Sequence, residues 1–572
     1  MQKFLPFLQW LPNYKSAFFK KDLIAGLTVA IVLIPQAMAY AMLAGLPPVY
    51  GLYASVFPLL IYAFLGTSRQ LGIGPVAMDS LLVAAGLGAL VITGIENYIA
   101  MAIFLAFVVG AIQVLLGVFR MGFLVNFLSK PVLNGFTSGA VLIIMLSQIK
   151  HLMGVEVSNS SKFHTLLSNI AEKISEINMY DLAIGIAAIL LILLLKKWSK
   201  KIPAILIAVV LGIMLVNFLG LDSKGVKIVG AIPAGLPSFQ IPEFNLDNLL
   251  QILPIAFTIA LVGYLEAISI GKAIEERNNE TKMDANQELV ALGASNIVGS
   301  FFQSYPVAAS FSRSAINNEM GSKSNLSGLI TMTIVVITLF FLAPLFYYLP
   351  NAILAAIIMV SVYRLIDFEY PRALWKNRKD EFAVLLLTFL ITLFIGIPQG
   401  ILTGVLLSLL LMVYRTSNPH FAVLGNIRNT DYYKNINRFG EEIIVREDLL
   451  IVRFDAQLYF GNMNFFKREL LKNIDAKGEN LKGIILNAEA INYIDSSAAT
   501  MLIQVIEEIH ARGLKFIIAG AIGPTRDIIF RSGIIDALHK EFLFVRTKEA
   551  VACFDDPGAV SSFRDIVAYQ KN

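Results

Sequence analysis

The run Gln303-Ser304-Tyr305-Pro306-Val307-Ala308-Ala309-Ser310-Phe311-Ser312-Arg313-Ser314 decides the reading of this chain, because it sets an arginine and several hydroxyls inside an apolar region of membrane length. Placing Arg at mid-bilayer costs at least ~2.5–3.5 kcal/mol on insertion scales, so such a residue marks a pathway or binding site by default. The competing reading is that Arg313 caps a helix C-terminus or pairs with a buried acid.

The run has a counterpart earlier in the chain. Gly74-Pro75-Val76-Ala77-Met78-Asp79-Ser80 is similar to Tyr305-Pro306-Val307-Ala308-Ala309-Ser310-Phe311, and a polar residue before a small one recurs upstream of each, as Gln36-Ala37 and Glu266-Ala267. Gln36 stands 39 residues before Pro75, and Glu266 stands 40 before Pro306. The matching spacing divides the membrane region into two halves, 22–220 and 250–416, each with about seven segments. An odd number of crossings per half turns the second upside down relative to the first.

Proline suits the first turn of a helix, where its missing N–H would be unpaired anyway, so both short segments are expected to start at Pro75 and Pro306. Starting within the membrane, each aims its free N–H groups and the positive end of its dipole at the midplane. Two such ends facing one another make an anion site. The expected substrate-binding residues are Gln36, Pro75, Val76 and Ala77 from the first half, and Pro306, Val307, Ala308, Ser310, Ser312 and Arg313 from the second. The alternative is that the prolines merely kink continuous helices. Glu266 is the expected carboxylate partner of Arg313 and, with Asp79, the candidate for carrying a coupled proton or for binding sodium. A structural Glu–Arg pair, and plain helix-dipole stabilisation of Asp79, are the competing readings.

Composition agrees with a membrane protein. Of 572 residues, 56% are hydrophobic and 15% charged, and the mean hydropathy is +0.69, well outside the soluble range. Apolar runs near 22–44, 48–66, 98–118, 130–150, 180–196, 202–220, 250–272, 326–344, 350–364, 380–396 and 398–415, with shorter ones near 74–90, 286–303 and 305–317, give about 14 segments. Residues 4–19 are expected as an interfacial segment rather than a cleavable signal peptide. Lysine and arginine collect on one side: Lys15, Lys20 and Lys21, then Arg69, Arg120 and Lys130, then Lys196, Lys197, Lys200 and Lys201. The positive-inside rule makes that side cytoplasmic. Net charge of +5 without a basic block gives no reason to expect nucleic acid. The single cysteine, Cys553, cannot close an internal disulfide, and no Cys/His spacing points to a metal or cofactor.

After Arg415 the pattern becomes that of a soluble α/β domain. The expected organisation is an N-terminal interfacial segment 1–21, a membrane region 22–416, an Asn- and Tyr-rich linker 417–440, an α/β domain 441–560 and a tail 561–572. Strands are expected near 442–446, 449–455, 482–488, 515–520 and 541–545, and helices near 462–474, 496–511, 524–532 and 547–554. An even number of spans returns this domain to the cytoplasmic side with the N-terminus.

The segment Pro48-Val49-Tyr50-Gly51-Leu52-Tyr53-Ala54-Ser55, continuing to Gly66-Thr67-Ser68-Arg69, resembles the signature of the sulfate permease family, the bacterial relatives of the solute-carrier-26 anion transporters. Asn296, Gly299, Pro306 and Ser310 to Ser314 resemble a second part of its pattern. The resemblance implies a seven-plus-seven inverted repeat with core and gate domains, a site where the third and tenth helices meet, a homodimer, and residence in the plasma (inner) membrane. Asp79 departs from the apolar or hydroxyl residue expected there. Ile494-Asp495-Ser496-Ser497-Ala498 resembles a STAS domain, in whose regulatory relatives the serine matching Ser496 is phosphorylated. Capping of the following helix by Asp495 or Ser496 is the plainer reading.

The function expected is secondary active transport of a small anion, sulfate or bicarbonate in type, coupled to protons or sodium by alternating access. A dicarboxylate transporter, an uncoupled channel or exchanger, and a receptor signalling through the STAS domain are the alternatives. An ATP-driven pump is excluded by motif, because Glu266 stands where a P-loop before Gly271-Lys272 needs its first glycine.

Overall fold

Helices in the membrane region follow the apolar runs, and three of them are closed by a glycine, at Gly66, Gly154 and Gly220. The computed structural model describes residues 5–88, 90, 92–123, 129–157, 162–199, 202–278, 283–439 and 442–556. The expected tail 561–572, and Lys200 and Lys201, lie outside the described residues. The chain divides into two compact units, Met1–Ser408 and Leu409–Asn572.

The first half of the membrane unit carries α1 (Ser16–Leu43), α2 (Val49–Leu65, interrupted after Tyr53), α3 (Ala77–Gly88), α4 (Ile95–Val118), α5 (Lys130–Met153), α6 (Met179–Trp198) and α7 (Ala204–Leu219). The second carries α8 (Leu246–Asn278), α9 (Ala285–Ser300), α10 (Phe311–Glu319), α11 (Leu326–Ile337), α12 (Asn351–Tyr363), α13 (Lys379–Phe394) and α14 (Ile397–Ser417). Among the described residues, seven helices are long and apolar enough to cross a membrane. Of the shorter ones, α3 and α12 are largely buried, as half-helices or bundle helices at depth are, whereas α7 exposes Leu211, Met214, Leu215 and Phe218. A short helix, Phe7–Trp10, precedes α1.

Packing sorts these helices into two groups. In one, α9 lies against α4 and α2, α11 against α1, and α8 against α3 and α4. In the other, α5 packs with α13 and α12, and α6 with α12 and α7. Small residues permit the closest of these contacts: a Cβ on Gly110 of α4 would stand 2.6 Å from the Gly293 carbonyl oxygen of α9, and one on Gly293 equally close to the Gly110 oxygen. Van der Waals packing between such backbones drives helix association where lipid offers no hydrophobic gradient.

Two buried acids tie the halves together. Asp22, at the start of α1, accepts from Tyr14 Oη at 2.9 Å, the Lys323 amide at 2.6 Å and Ser324 Oγ at 2.6 Å. Glu288, in the first turns of α9, accepts from Tyr62 Oη at 2.9 Å and from the Thr67 and Ser68 amides at 2.7 and 2.9 Å. A buried carboxylate is tolerable only when donors surround it in this way.

At the centre of the unit, β1 (Ile73–Gly74) pairs antiparallel with β2 (Ala308–Ala309), Ile73 opposite Ala309 and Gly74 opposite Ala308. Non-helical backbone at this depth is admissible because every residue of the ladder is buried in protein.

The second unit is an α/β domain. Its strands are β3 (Phe421–Ile427), β4 (Tyr433–Asn435), β5 (Ile443–Ile444), β6 (Leu449–Phe454), β7 (Gly483–Asn487), β8 (Lys515–Ala519) and β9 (Leu543–Phe544). They form one sheet in the order β4-β3-β6-β7-β8-β9, with β5 also on β3. β6 through β9 run parallel, and β3 is antiparallel to β6. The helices are α15 (Met463–Lys477), α16 (Ser496–Ala511), α17 (Gly523–Arg531), α18 (Ile534–Leu538) and α19 (Thr547–Asp555). All five residues of β7 are buried, as a strand covered on both faces requires. The stretch 417–440, expected as a linker, instead carries β3 and β4: Ala422 and Leu424 point into the core, and β3 is an integral strand.

Candidate anion-binding site

The sequence sets up two helix starts that meet head to head. α3 begins at Ala77, two residues after Pro75, and its first turn closes with the Ser80 amide donating to the Val76 carbonyl at 3.0 Å. α10 does not begin at Pro306. The chain stays extended through β2 and turns helical at Phe311, with Ser310 as the N-cap. The reason is the ladder with β1: Ala308 is held opposite Gly74, and the Ser310 amide donates to the Gly72 carbonyl at 2.9 Å. Pro306 therefore lies in the connection between α9 and β2.

This shift changes which amides are free. Asn296 of α9 takes the Val307 amide on its Oδ1 at 2.9 Å and donates through Nδ2 to the Val307 carbonyl at 3.1 Å. Gln113 of α4 accepts from the same Nδ2 at 3.1 Å and donates to the Ala260 carbonyl at 3.2 Å. Val307, expected to offer its amide to a ligand, is thus already committed, and Ala308 belongs to the ladder. At the two helix starts, the amides of Ala77, Met78 and Asp79 in α3 and of Phe311 and Ser312 in α10 have no hydrogen-bond partner within the protein. Phe311 and Ser312 are also not covered by protein.

Arg313 occupies the first turn of α10 and is fully buried. It packs so closely on β1 and the residue before it that a Cβ at Gly72 would stand 2.7 Å from its β-carbon, and one at Gly74 would stand 3.3 Å from its Nη2. Side chains at either position would push the guanidinium out. None of its three guanidinium nitrogens has a hydrogen-bond partner. The expected ion pair with Glu266 is not formed. Glu266, on α8 and only partly buried, acts on Arg313 through space rather than by contact. Asp79 is 1% exposed and neither carboxylate oxygen has a partner. It lies beside α8, with Oδ2 3.2 Å from where a Cβ of Gly263 would be.

Ser310 Oγ and Ser312 Oγ are 3.2 Å apart. Gln36 is buried in α1, with its Oε1 unpartnered. Tyr40, one turn on, and Tyr305, whose hydroxyl lies 3.1 Å from Ser80 Oγ, are within electrostatic reach of Arg313. The sequence reading gives neither tyrosine a role and omits Gln113; a lone polar side chain in an apolar helix is the signal for Tyr40 and Gln113, and Tyr305 stands in the quoted run itself.

In the second unit, Asp495 is the cap of α16. Its Oδ1 accepts from the Ala498 amide at 2.8 Å and its Oδ2 from the Phe460 amide at 2.9 Å. Ser496 is the exposed first residue of the helix.

Two halves whose broken helices face each other across a buried ladder, joined to an α/β domain, define a polytopic membrane carrier fold with a soluble appendage. Residues 19–388 match the sulfate permease family and residues 442–550 the STAS domain. The chain belongs to the sulfate permease family and carries a STAS domain. It is 38% identical over 567 residues to sulfate transporter 4.1, chloroplastic, of Arabidopsis thaliana, covering 96% of this chain and 82% of that one. It is 34% identical over 551 residues to probable sulfate transporter Rv1739c of Mycobacterium tuberculosis, covering 95% and 98%. Among solved structures, murine solute carrier 26 family member A9, an anion transporter in the inward-facing state, superposes with a TM-score of 0.89 at 26% identity, covering 96% of this chain and 93% of that one. The fold is therefore the seven-plus-seven arrangement of this family, and the chain is an anion transporter by its kinship.

Proposed function

We propose that this protein is a secondary active transporter of a small inorganic oxyanion, sulfate in the first place, driven by protons. The observation that carries the reading is Arg313: a fully buried guanidinium without a partner, set beside two helix N-termini whose amides are also free. Such a cluster costs free energy unless an anion takes up the donors. The amides of Ala77, Met78, Phe311 and Ser312 cradle the anion, the hydroxyls of Ser310 and Ser312 add donors, and Arg313 supplies net charge. Glu266 and Asp79 carry the coupled cation. The names of the plant and mycobacterial relatives support sulfate as the substrate. The group holding α3 and α10 moves as a core against the group built on α5, α12 and α13, exposing the site alternately on the two sides. A homodimer in the plasma membrane, with the N-terminus and STAS domain in the cytoplasm, completes the reading, and Ser496 is a candidate regulatory site.

The test is uptake by the purified full-length protein in liposomes, with sulfate, bicarbonate, chloride and dicarboxylates offered under proton and sodium gradients applied separately. Saturable sulfate uptake driven by the proton gradient is expected. Uptake following sodium alone reassigns the driving cation. Large unsaturable currents point to a channel, and no uptake of any anion rejects transport.

A further inference from the structure

Where α3, α8 and α10 meet, the buried Arg313 and Asp79 and the partly buried Glu266 gather, and none touches another. Arg313 has no acceptor on any guanidinium nitrogen, and Asp79 has no donor on either oxygen. Glu266 acts on Arg313, and Asp79 on Glu266, only through space. The other titratable groups facing them are Tyr40 and Tyr305. Groups of opposite sign kept apart in a low-dielectric site are each left for a third party: the guanidinium for an anion, the carboxylates for a cation.

The backbone of α8 shows that Asp79 belongs to this arrangement. Gly263 stands one turn before Glu266 on the same helix, and its missing side chain is the slot into which Asp79 Oδ2 and the Ala308 methyl fit. Glycine here brings the acid of the first half-helix onto the α8 face that also presents Glu266.

We propose that Asp79 is a second proton-carrying acid beside Glu266, so that the site loads a divalent oxyanion of the sulfate type together with two protons. The deduction rests on the reading of the chain as a proton-coupled anion transporter. With one cation and two carboxylates, the space carries a formal charge of minus one. A divalent anion entering alone raises this to minus three; with a proton on each acid the charge is unchanged. One proton binds an Asp79 oxygen and one binds Glu266 on the side where the anion enters. Both leave with the anion on the other side, making the cycle electroneutral.

The experiment uses full-length protein in liposomes, labelled sulfate, and a membrane potential set by potassium and valinomycin. At zero potential, the logarithm of the accumulation ratio should rise with the imposed pH difference with a slope of about two, and uptake should not respond to the potential. Asp79→Asn should lower the slope to about one and make uptake respond to an inside-positive potential. If Asp79→Asn abolishes uptake, Asp79→Glu decides: it should keep a slope of about two. A wild-type slope of about one, an unchanged slope in Asp79→Asn, or a halved slope in Asp79→Glu overturns the proposal while leaving transport intact. Absence of sulfate uptake under every gradient overturns the transporter reading with it.

Discussion

Asn296 holds Val307 by both of its backbone polar groups, accepting from the amide at 2.9 Å and donating to the carbonyl at 3.1 Å. One side chain on α9 thereby fixes the extended segment that delivers Ser310 and Arg313 to the site.

Replacing Asn296 with Ala leaves a buried amide and a buried carbonyl without partners. Each such group costs about 1–3 kcal/mol, and part of that loss falls on the geometry of α10. Anion affinity should drop about tenfold or more, together with a lower unfolding temperature in detergent. Isothermal binding and thermal unfolding of the same preparation check both.

Arg313→Ala should remove most anion affinity, by about 30-fold or more if the lost charge-assisted bonds are worth about 2–3 kcal/mol, while the oligomeric state stays that of the wild type. Arg313→Lys should recover only part of it, since a lysine offers a point charge where the guanidinium offers a planar fork. Uptake titrations on size-selected protein measure these changes. An affinity unchanged by Arg313→Ala would remove this residue from the site.

Gly72→Ala introduces a methyl 2.7 Å from the β-carbon of Arg313. Overpacking of this kind costs about 1–3 kcal/mol, and here it pushes directly on the first turn of α10. The expected outcome is weakened anion binding out of proportion to the loss of thermal stability, read by comparing the two in one variant.

In the STAS domain, hydrogen bonds from Arg446 Nε and Nη2 at 2.9 and 2.7 Å hold the Asp448 carboxyl below the usual carboxylate range. With the folded value depressed, the pair's stabilisation is present above the unfolded pKa and is lost as pH falls through the folded one. Both side chains are about one-third exposed, so screening limits the effect to about 1 kcal/mol or less. Arg446→Ala should therefore lower the domain's unfolding temperature at neutral pH by a few degrees at most. The difference from wild type should shrink below about pH 4, as scanning fluorimetry across pH would show.

Much of the fold was legible because membrane helices announce themselves by length and hydropathy. Each of α1 to α14 falls on an expected apolar run, most with ends within a few residues and the start of α1, the end of α8, the start of α10 and the end of α11 displaced by six or seven, and the Pro75 start lies close to Ala77. The second helix start was misplaced for a physical reason. Matching Pro-Val-Ala to Pro-Val-Ala equates Pro75 with Pro306, whereas the ladder sets Gly74 against Ala308 and delays the helix until Phe311. Ser310, a serine followed three residues later by a bonded amide, was the local signal for the true cap. β3 and β4 resemble a linker in sequence because Asn426, Asn429 and Tyr432 look like loop residues; the run Phe421-Ala422-Val423-Leu424 is the strand signal. The clamp by Asn296 and Gln113 joins residues 183 positions apart, which no local pattern reports.

The ladder between Gly74 and Ala308 also bears on how the protein is made. The Gly72–Gly74 segment is synthesised more than two hundred residues before the chain that completes it, and until then its polar backbone has no partner. Contacts of such long sequence separation form late, so the first half waits in the bilayer with its central strand incomplete. The site is thus among the last features to assemble, and a truncated chain ending before β2 retains an open edge that quality control can recognise.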